Sequence, residues 1–173
     1  MMSLPRSNSE GSSGFDLLHP QIQRWIRQQG WSRLRDVQEQ AIAAICGSDG
    51  DVLISAATAA GKTEAAFLPL LGSSAARAQP GISILYVAPL KALINDQFRR
   101  LEELCDKLEL PLVRWHGDAP QGPKTKIIRA PAGVVLITPE SDPAQLPVPI
   151  DEPAVPARKG FGWAGVFWSA LGG

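Results

Sequence analysis

The segment that most constrains the fold is residues 51–71, DVLISAATAAGKTEAAFLPLL. Its apolar start predicts a strand over 51–56, and its end, residues 64–71, consists of helix-forming residues. Between them, a run of small residues ends in Gly61-Lys62-Thr63. A strand, a small-residue loop, Gly-Lys-Thr and a helix follow one another in the same way in phosphate-binding loops.

The chemistry of such a loop explains these residue types. Small residues let the backbone curl closely around phosphate oxygens, and the amides at the helix start point at the anion. Lys62 has the mobile positive charge that outer phosphates need, and the Thr63 hydroxyl is a ligand for Mg²⁺. The strict pattern has glycine where this chain has Ala56, so an ordinary strand-to-helix turn remains the alternative.

Composition and charge narrow the classes of function. The 173 residues suffice for one domain with a core, and 17 basic residues balance 17 acidic ones. Any nucleic-acid contact must therefore be local, because there is no net positive field. No apolar run reaches the length of a membrane span and residues 1–14 contain no signal core, so we expect a cytoplasmic protein without a membrane partner. Cys46 and Cys105 lie in apolar, helix-like settings and are predicted to be buried and reduced.

Helical and strand patterns alternate through the middle of the chain. Besides 64–71, helices are predicted over 15–29, 34–46 and 90–108, with a short helix or irregular segment over 124–129. Besides 51–56, strands are predicted over 82–88, 112–115 and 134–138, and residues 72–81 are predicted to be a connection. This alternation predicts an α/β fold with a parallel sheet that is flanked by helices.

The two ends of the chain have a different character. Residues 1–14 are rich in Ser, Gly and Asn, and we expect them to be disordered. From residue 142 to 173 prolines recur and neither strand nor helix periodicity lasts, which predicts an irregular tail. The predicted domain therefore spans residues 15–141.

Four further segments carry residues suited to binding. Gln38 offers the donor and the acceptor that an adenine edge requires, and Phe15 or Trp31 upstream could stack nearby. The alternative is a solvated glutamine on a helix. Lys91 follows Ala88-Pro89 at a predicted helix start, where amides and a positive charge suit a phosphate; a simply capped helix is the alternative.

The other two segments follow the later strands. Trp115-His116-Gly117-Asp118 comes after the strand over 112–115, and His116 either reaches a phosphate or fixes a turn through a hydrogen bond. Thr138-Pro139-Glu140-Ser141 has the composition of a helix start whose amides and hydroxyl meet a phosphate backbone. An ordinary helix cap is the alternative there.

Taken in order, AATAAGKT, APLKAL, WHGD and TPES, together with the upstream glutamine, resemble the first RecA-like domain of superfamily 2 helicases of the DEAD/DEAH-box type. FDLLHP, ATAAGKTEAAFLPLL and YVAPLKALINDQ are most similar to the Lhr-like (large-helicase-related) branch. The resemblance covers residues 15–141.

This resemblance implies binding of ATP with Mg²⁺ and of single-stranded DNA or RNA. Lys62 would contact the β and γ phosphates and act in catalysis, Thr63 would hold Mg²⁺, and Arg35 with Gln38 would sense adenine. The nucleotide would lie on the loop formed by Ala57, Thr58, Ala59, Ala60, Gly61, Lys62 and Thr63. The backbone of the nucleic acid would follow a track lined by Pro89, Lys91, Ala92, Gly117, Asp118, Thr138, Pro139 and Glu140.

One expected feature is in doubt. Such helicases need an Asp-Glu pair after a buried strand to complete the Mg²⁺ shell and orient the attacking water. Asp151-Glu152 is the candidate, but it follows a proline-rich segment unsuited to a central strand and comes too soon after Thr138. We hypothesise that the chain is a C-terminally truncated helicase in which residues 142–173 are out of register, as after a frameshift.

The sequence thus predicts an ATP-binding and nucleic-acid-binding fragment of an ATP-dependent helicase that does not unwind strands alone. Two alternatives stay open. The loop also suits another P-loop kinase or NTPase, although no acceptor site or switch segment is recognisable. A catalytically inert binding fragment is the second alternative.

Overall fold

The computed structural model describes residues 14–48, 50–57, 60–77, 81–141 and 146, and the backbone of 165–167. The chain divides into two compact units. The first comprises Met1–Ser48 and Val52–Pro69, and the second comprises Asp49–Asp51 and Leu70–Gly173. The predicted tail over 1–14 lies outside the described residues except for Gly14, which is buried.

The first unit is helical. A short 3-10 helix, Gly14–Leu17, is followed by α1, Pro20–Gln28, and α2, Asp36–Gly47. The predicted helix over 15–29 is therefore interrupted before Pro20, which takes the first helical position that suits its fixed φ. Gly30 adopts a φ of 71° after α1, as a helix-ending glycine often does. The core of this unit contains Leu18, Ile22, Ile26, Leu34, Ile42, Phe67 and Leu68.

The third helix, α3, spans Lys62–Arg77, and the boundary between the units falls within it at Pro69. The prediction that residues 72–81 form a connection is wrong over most of that range, because the helix continues to residue 77. The segment 72–77 reads GSSAAR, and its small residues do not interrupt the helix, because helix formation is cooperative once a first turn exists.

The predicted strand over 51–56 is not formed. Residues 51–57 have no regular secondary structure, and Leu53 is 92% exposed. Periodicity identifies an apolar segment suited to a sheet, but a strand exists only where a neighbouring strand supplies its hydrogen bonds.

The second unit is built on a parallel sheet. Its strands are β1, Gly81–Val87, β2, Leu112–Trp115, β3, Ala132–Ile137, and a short β4, Gly165–Phe167, in the order β2-β3-β1-β4. Helix α4, Lys91–Lys107, connects β1 to β2, and α5, Gln121–Arg129, connects β2 to β3. The predicted α/β fold with a parallel sheet is confirmed, as are the strands β1, β2 and β3.

The core of the second unit is formed by side chains from β1, β2, β3 and α5. It contains Ile82, Val113, Trp115, Ile127, Val135, Ile137 and Leu146. Leu146 belongs to the predicted irregular tail. So does β4, which pairs in parallel with β1, from Leu85 opposite Gly165 to Val87 opposite Phe167. The described residues of the tail therefore contribute to the fold. A three-residue strand is too short to leave a periodic signal in the sequence, but it can supply hydrogen-bond partners to backbone groups along the outer side of β1.

The cysteines differ from each other. Cys105 is buried, and the loss of water around its thiol raises the pKa to about 12, which keeps it protonated and unreactive. Cys46 is exposed, so the prediction that both cysteines are buried is wrong for this residue. None of the described helices is long and apolar enough to cross a membrane.

Candidate functional site

The small-residue loop curls around the side chain of Lys62, the first residue of α3. The Lys62 Nζ donates to the carbonyl oxygens of Ala56 at 2.6 Å and Ala57 at 2.9 Å. The amide of Ala60 also donates to the Ala57 oxygen at 3.2 Å. These bonds hold Ala56 and Ala57 close to the start of α3. Thr58 and Ala59 lie outside the described residues.

Gly61 is required where the loop enters α3. Its φ is 86°, a region that side-chain-bearing residues rarely adopt. A Cβ at this position would lie 2.6 Å from the Gln38 Nε2 and 3.6 Å from the Arg35 Cδ. The glycine therefore allows the start of α2 to lie against the loop, and the structure brings the predicted residues Arg35 and Gln38 next to it.

Gln38 links the start of α2 to this loop. It is only 3% exposed, so the alternative of a solvated glutamine is wrong. Its Oε1 accepts a hydrogen bond from the Arg35 amide at 2.9 Å, and its Nε2 lies 3.5 Å from the Gly61 carbonyl oxygen. Sequence reasoning missed the capping role, although a glutamine three residues after the residue that precedes a helix is a known capping signal.

The two aromatic residues proposed as stacking partners have partners of their own in this unit. The Arg27 guanidinium lies 5.0 Å from the centre of the Phe15 ring. Trp31 packs edge-on against Trp25, with the ring centres 5.7 Å apart. Both rings therefore make contacts within the helical unit itself.

The other predicted residues lie at one edge of the parallel sheet. Segment 88–92 follows β1, segment 116–118 follows β2 and segment 138–140 follows β3. These strands are adjacent and parallel, so their carboxyl ends meet at the same edge, and the Ala88 amide donates to the Ile137 oxygen at 3.0 Å. The topology thus brings the three segments together. Their exposed members are Pro89, Leu90, Lys91, Ala92, Gly117, Asp118, Pro139 and Glu140.

An ion pair joins two of these segments. The Lys91 Nζ lies 2.7 Å from the Asp118 Oδ2, and the two side chains are 53% and 75% exposed. The hydrogen bond and charge of Lys91 lower the pKa of the Asp118 carboxyl below its usual value. Gly117 lies beside this pair, since a Cβ there would be 3.9 Å from the same nitrogen.

A buried network holds the loop after β2. The Asn95 Oδ1 accepts from the Arg114 Nη1 at 2.8 Å and lies 3.3 Å from the His116 Nε2. His116 is 3% exposed, and burial together with the nearby Arg114 charge lowers its pKa, which favours the neutral ring. Of the two interpretations of His116, fixing a turn is therefore the one that the structure supports.

Lys124 on α5 holds the same loop and was missed by sequence reasoning. It is buried, its Nζ donates to the His116 carbonyl oxygen at 2.7 Å, and it lies 5.8 Å from the centre of the Trp115 ring. A lysine in an amphipathic helix carries no signal of burial, because its burial depends on an acceptor supplied by another segment.

Thr138 differs from the other predicted contact residues. It is 2% exposed, and its Oγ1 lies 2.9 Å from the Ser141 Oγ, while the Ser141 amide donates to the Thr138 oxygen. Thr138 and Ser141 thus close a turn, and the residues that would continue a helix from it, 142–145, lie outside the described residues. Only Pro139 and Glu140 present their side chains to solvent here.

The next residues to consider are the acidic pair that would act in ATP hydrolysis. Asp151 and Glu152 lie outside the described residues. Among the residues that are described, no group of three His, Cys, Asp or Glu is arranged to hold a metal ion. Thr63, in the first turn of α3 and partly buried, is the described residue with a suitable oxygen next to Lys62.

The family model for "DEAD/DEAH box helicase" matches residues 35–147, which is more than half of the chain and includes the loop and all three strand-end segments. The chain belongs to the DEAD/DEAH box helicase family. The first residue of the match is Arg35, beside the loop, and its last residues follow the described turn at 138–141.

Relatives of this helicase domain are much longer proteins. The ATP-dependent helicase Lhr-Core of Saccharolobus solfataricus is 33% identical over 140 residues, which is 73% of this chain and 16% of that protein. Its homologue from Methanothermobacter thermautotrophicus is 29% identical over 141 residues, again 16% of its length. The chain therefore spans about a sixth of these curated relatives.

Solved structures agree with the fold. The helicase MrfA bound to DNA and AMPPNP has a TM-score of 0.60 and 26% identity, over 72% of this chain and 17% of that one. The similarity to helicases predicted from the order of motifs, including the Lhr-like branch, is confirmed by these comparisons.

Proposed function

We propose that this chain is the ATP-binding and nucleic-acid-binding part of an ATP-dependent helicase. The observation that carries the proposal is the loop closed on Lys62 beside Gln38, in a chain that belongs to a helicase family. We also propose a cytoplasmic location, because the proposed ligands, ATP and nucleic acid, are found inside cells.

Lys62 would bind the β and γ phosphates. Its ammonium already faces into the curled loop, where it is bonded to two carbonyl oxygens. Phosphate oxygens carry more negative charge than carbonyl oxygens, so the lysine would exchange one set of acceptors for the other. Ala57–Ala60 would form the wall of the pocket, and the first amides of α3 would point at the anion.

Thr63 and the start of α2 would complete the nucleotide site. Mg²⁺ would neutralise phosphate charge, and the Thr63 hydroxyl is the ligand that this segment offers. Gln38 and Arg35 would sense adenine, with the Gln38 Nε2 as donor, since its Oε1 already accepts from the Arg35 amide.

The sheet edge would bind the sugar-phosphate backbone of one DNA or RNA strand. Lys91, Pro139 and Glu140 are exposed at adjacent strand ends, and the helicase MrfA, which is similar in fold, has been solved with DNA. Backbone contacts carry little sequence information, so the binding would be nearly independent of sequence.

We expect no strand separation by this chain alone. Complete helicases move strands by closing two domains around ATP, and this chain spans about a sixth of its relatives.

The test is a titration of the chain with Mg-ATP analogue and with a labelled single strand. Lys62→Ala is expected to weaken nucleotide binding about 30-fold or more, because it removes the charge that faces the phosphates. Lys126→Ala, which removes an exposed lysine on α5, is the matched control and should bind as the parent does.

Each result separates the alternatives. Binding of both ligands, with the Lys62 dependence, supports the helicase assignment. Transfer of phosphate to a small acceptor would favour a P-loop kinase, and binding of neither ligand would favour an inert fragment.

A further inference from the structure

The predicted track on the sheet edge contains a single cation, Lys91, and that cation is already occupied. Its Nζ is 2.7 Å from the Asp118 Oδ2, a distance typical of charge-assisted hydrogen bonds. Asp118 is also a member of the track, yet a carboxylate repels a phosphate. The two residues therefore cannot both act as simple attractive contacts.

The chemistry of the pair suggests its role. A carboxylate oxygen that accepts from an ammonium takes the same place as a phosphate oxygen would, with the same sign of charge. Both side chains are more than half exposed, and pairs of this kind are weak because water and salt compete with them. The pair can therefore open at low cost when another anion arrives.

A contrast within the same unit supports this interpretation. Lys124 is buried and donates to a backbone carbonyl, so its contact is structural. Lys91 has no comparable burial, and the loop that carries Asp118 is already held by Lys124, His116 and Asn95. The fold does not need the Lys91–Asp118 pair to keep the loop in place.

We infer that the Asp118 carboxylate is a built-in competitor that occupies Lys91 in the unbound chain and must be displaced by a nucleic-acid phosphate. This deepens the proposed function and rests on it. Asp118 would limit affinity so that the strand can be released, and would not itself be an attractive contact.

The decisive variant is Asp118→Asn, which keeps the shape and removes the charge. Freeing Lys91 and removing the repulsion should strengthen binding of a single strand about three- to tenfold at low salt. Lys91→Gln should weaken it, and Asp118→Asn should have a much smaller effect in the Lys91→Gln background. Asp118→Glu, which keeps the charge, should leave affinity close to that of the parent chain.

The matched control is Glu103→Gln. Glu103 pairs with Lys107 at 2.8 Å on the exposed surface of α4, so this variant makes the same change in net charge and also breaks an ion pair. The measurement is fluorescence anisotropy with labelled 12-nucleotide dT and rU strands, repeated over a series of salt concentrations. Glu103→Gln is expected to change affinity less than twofold.

The outcomes are distinguishable. Stronger binding by Asp118→Asn but not by Glu103→Gln supports the inference. Equal gains in both variants, or weaker or unchanged binding by Asp118→Asn, overturn it while the proposed function survives. If the parent chain and every variant bind no strand at low salt, the proposed function fails and the inference fails with it.

Discussion

The loop around Lys62 and the sheet edge around Lys91 hold a lysine in different ways. At the loop, backbone groups make the contacts: the carbonyls of Ala56 and Ala57 accept from the ammonium, and Gly61 enters α3 with a positive φ. At the edge, parallel strands supply the shape, and buried side chains beneath the surface hold the connecting loops. The loop depends on the absence of a side chain at Gly61, whereas the edge depends on the buried side chains of His116 and Lys124.

This difference predicts where each site is vulnerable. The loop should be sensitive to any Cβ at Gly61, while exposed residues of the edge should tolerate change without loss of the fold. The edge should fail when the sheet beneath it is disturbed.

The largest effect is expected for Gly133→Ala in β3. The φ of Gly133 is 72°, and a Cβ would lie only 2.2 Å from the Pro111 carbonyl oxygen, which accepts from the Val134 amide. We expect a loss of about 2–4 kcal/mol in the free energy of unfolding, measured by urea denaturation followed by circular dichroism.

A comparison with Gly81→Ala separates the cost of a positive φ from the cost of the steric clash with Pro111. Gly81 also has a positive φ, 114°, but nothing lies within 4 Å of its added Cβ. It should therefore lose less stability than Gly133→Ala. Equal losses would mean that the close approach of Pro111 to β3 contributes nothing to the cost of the Gly133 substitution.

The next largest effect is expected on nucleotide binding by the loop around Lys62. Gly61→Ala combines a φ of 86° with a contact of 2.6 Å to the Gln38 Nε2. The loop and the start of α2 must move apart, so we expect nucleotide binding to weaken about tenfold or more, measured by isothermal titration.

Gly47→Ala at the end of α2 is the matched control, because nothing lies within 4 Å of its added Cβ. It should bind nucleotide as the parent does. Unchanged binding by Gly61→Ala would show that the loop adapts to a side chain, which would remove the contrast between the two sites.

Much of the fold was predictable from the sequence because its elements are periodic. β2 was predicted at its observed bounds, and α4 and β3 to within one or two residues, since apolar stripes and buried runs leave a direct signal. The strand predicted over 51–56 does not form, because a strand needs a neighbouring strand as well as suitable residues of its own.

The candidate site was predictable to a similar extent. Motif order placed the strand-end segments on one edge, because parallel strands put their carboxyl ends together. The capping bond of Gln38, the burial of Lys124 and the bond between Thr138 and Ser141 were not predicted. Each depends on a partner that only the folded chain supplies.

The smallest expected effect concerns pH and the network beneath the edge. Burial, with the nearby Arg114 charge, lowers the pKa of His116, and its Nδ1 has no hydrogen-bond partner among the described residues. In the unfolded chain, histidine binds a proton below about pH 6.5. As the pH falls from 7 to 5.5, the unfolded state therefore binds more protons than the folded state, and stability decreases.

The measurement is urea denaturation at a series of pH values in this window. One histidine cannot change the free energy of unfolding by more than about 1.4 kcal/mol per pH unit, so the slope is small. His116→Gln should reduce the slope, because it removes the group whose pKa the fold lowers. An unchanged slope in His116→Gln would show that His116 titrates alike in both states. The edge would then lack the buried, neutral support that distinguishes it from the loop.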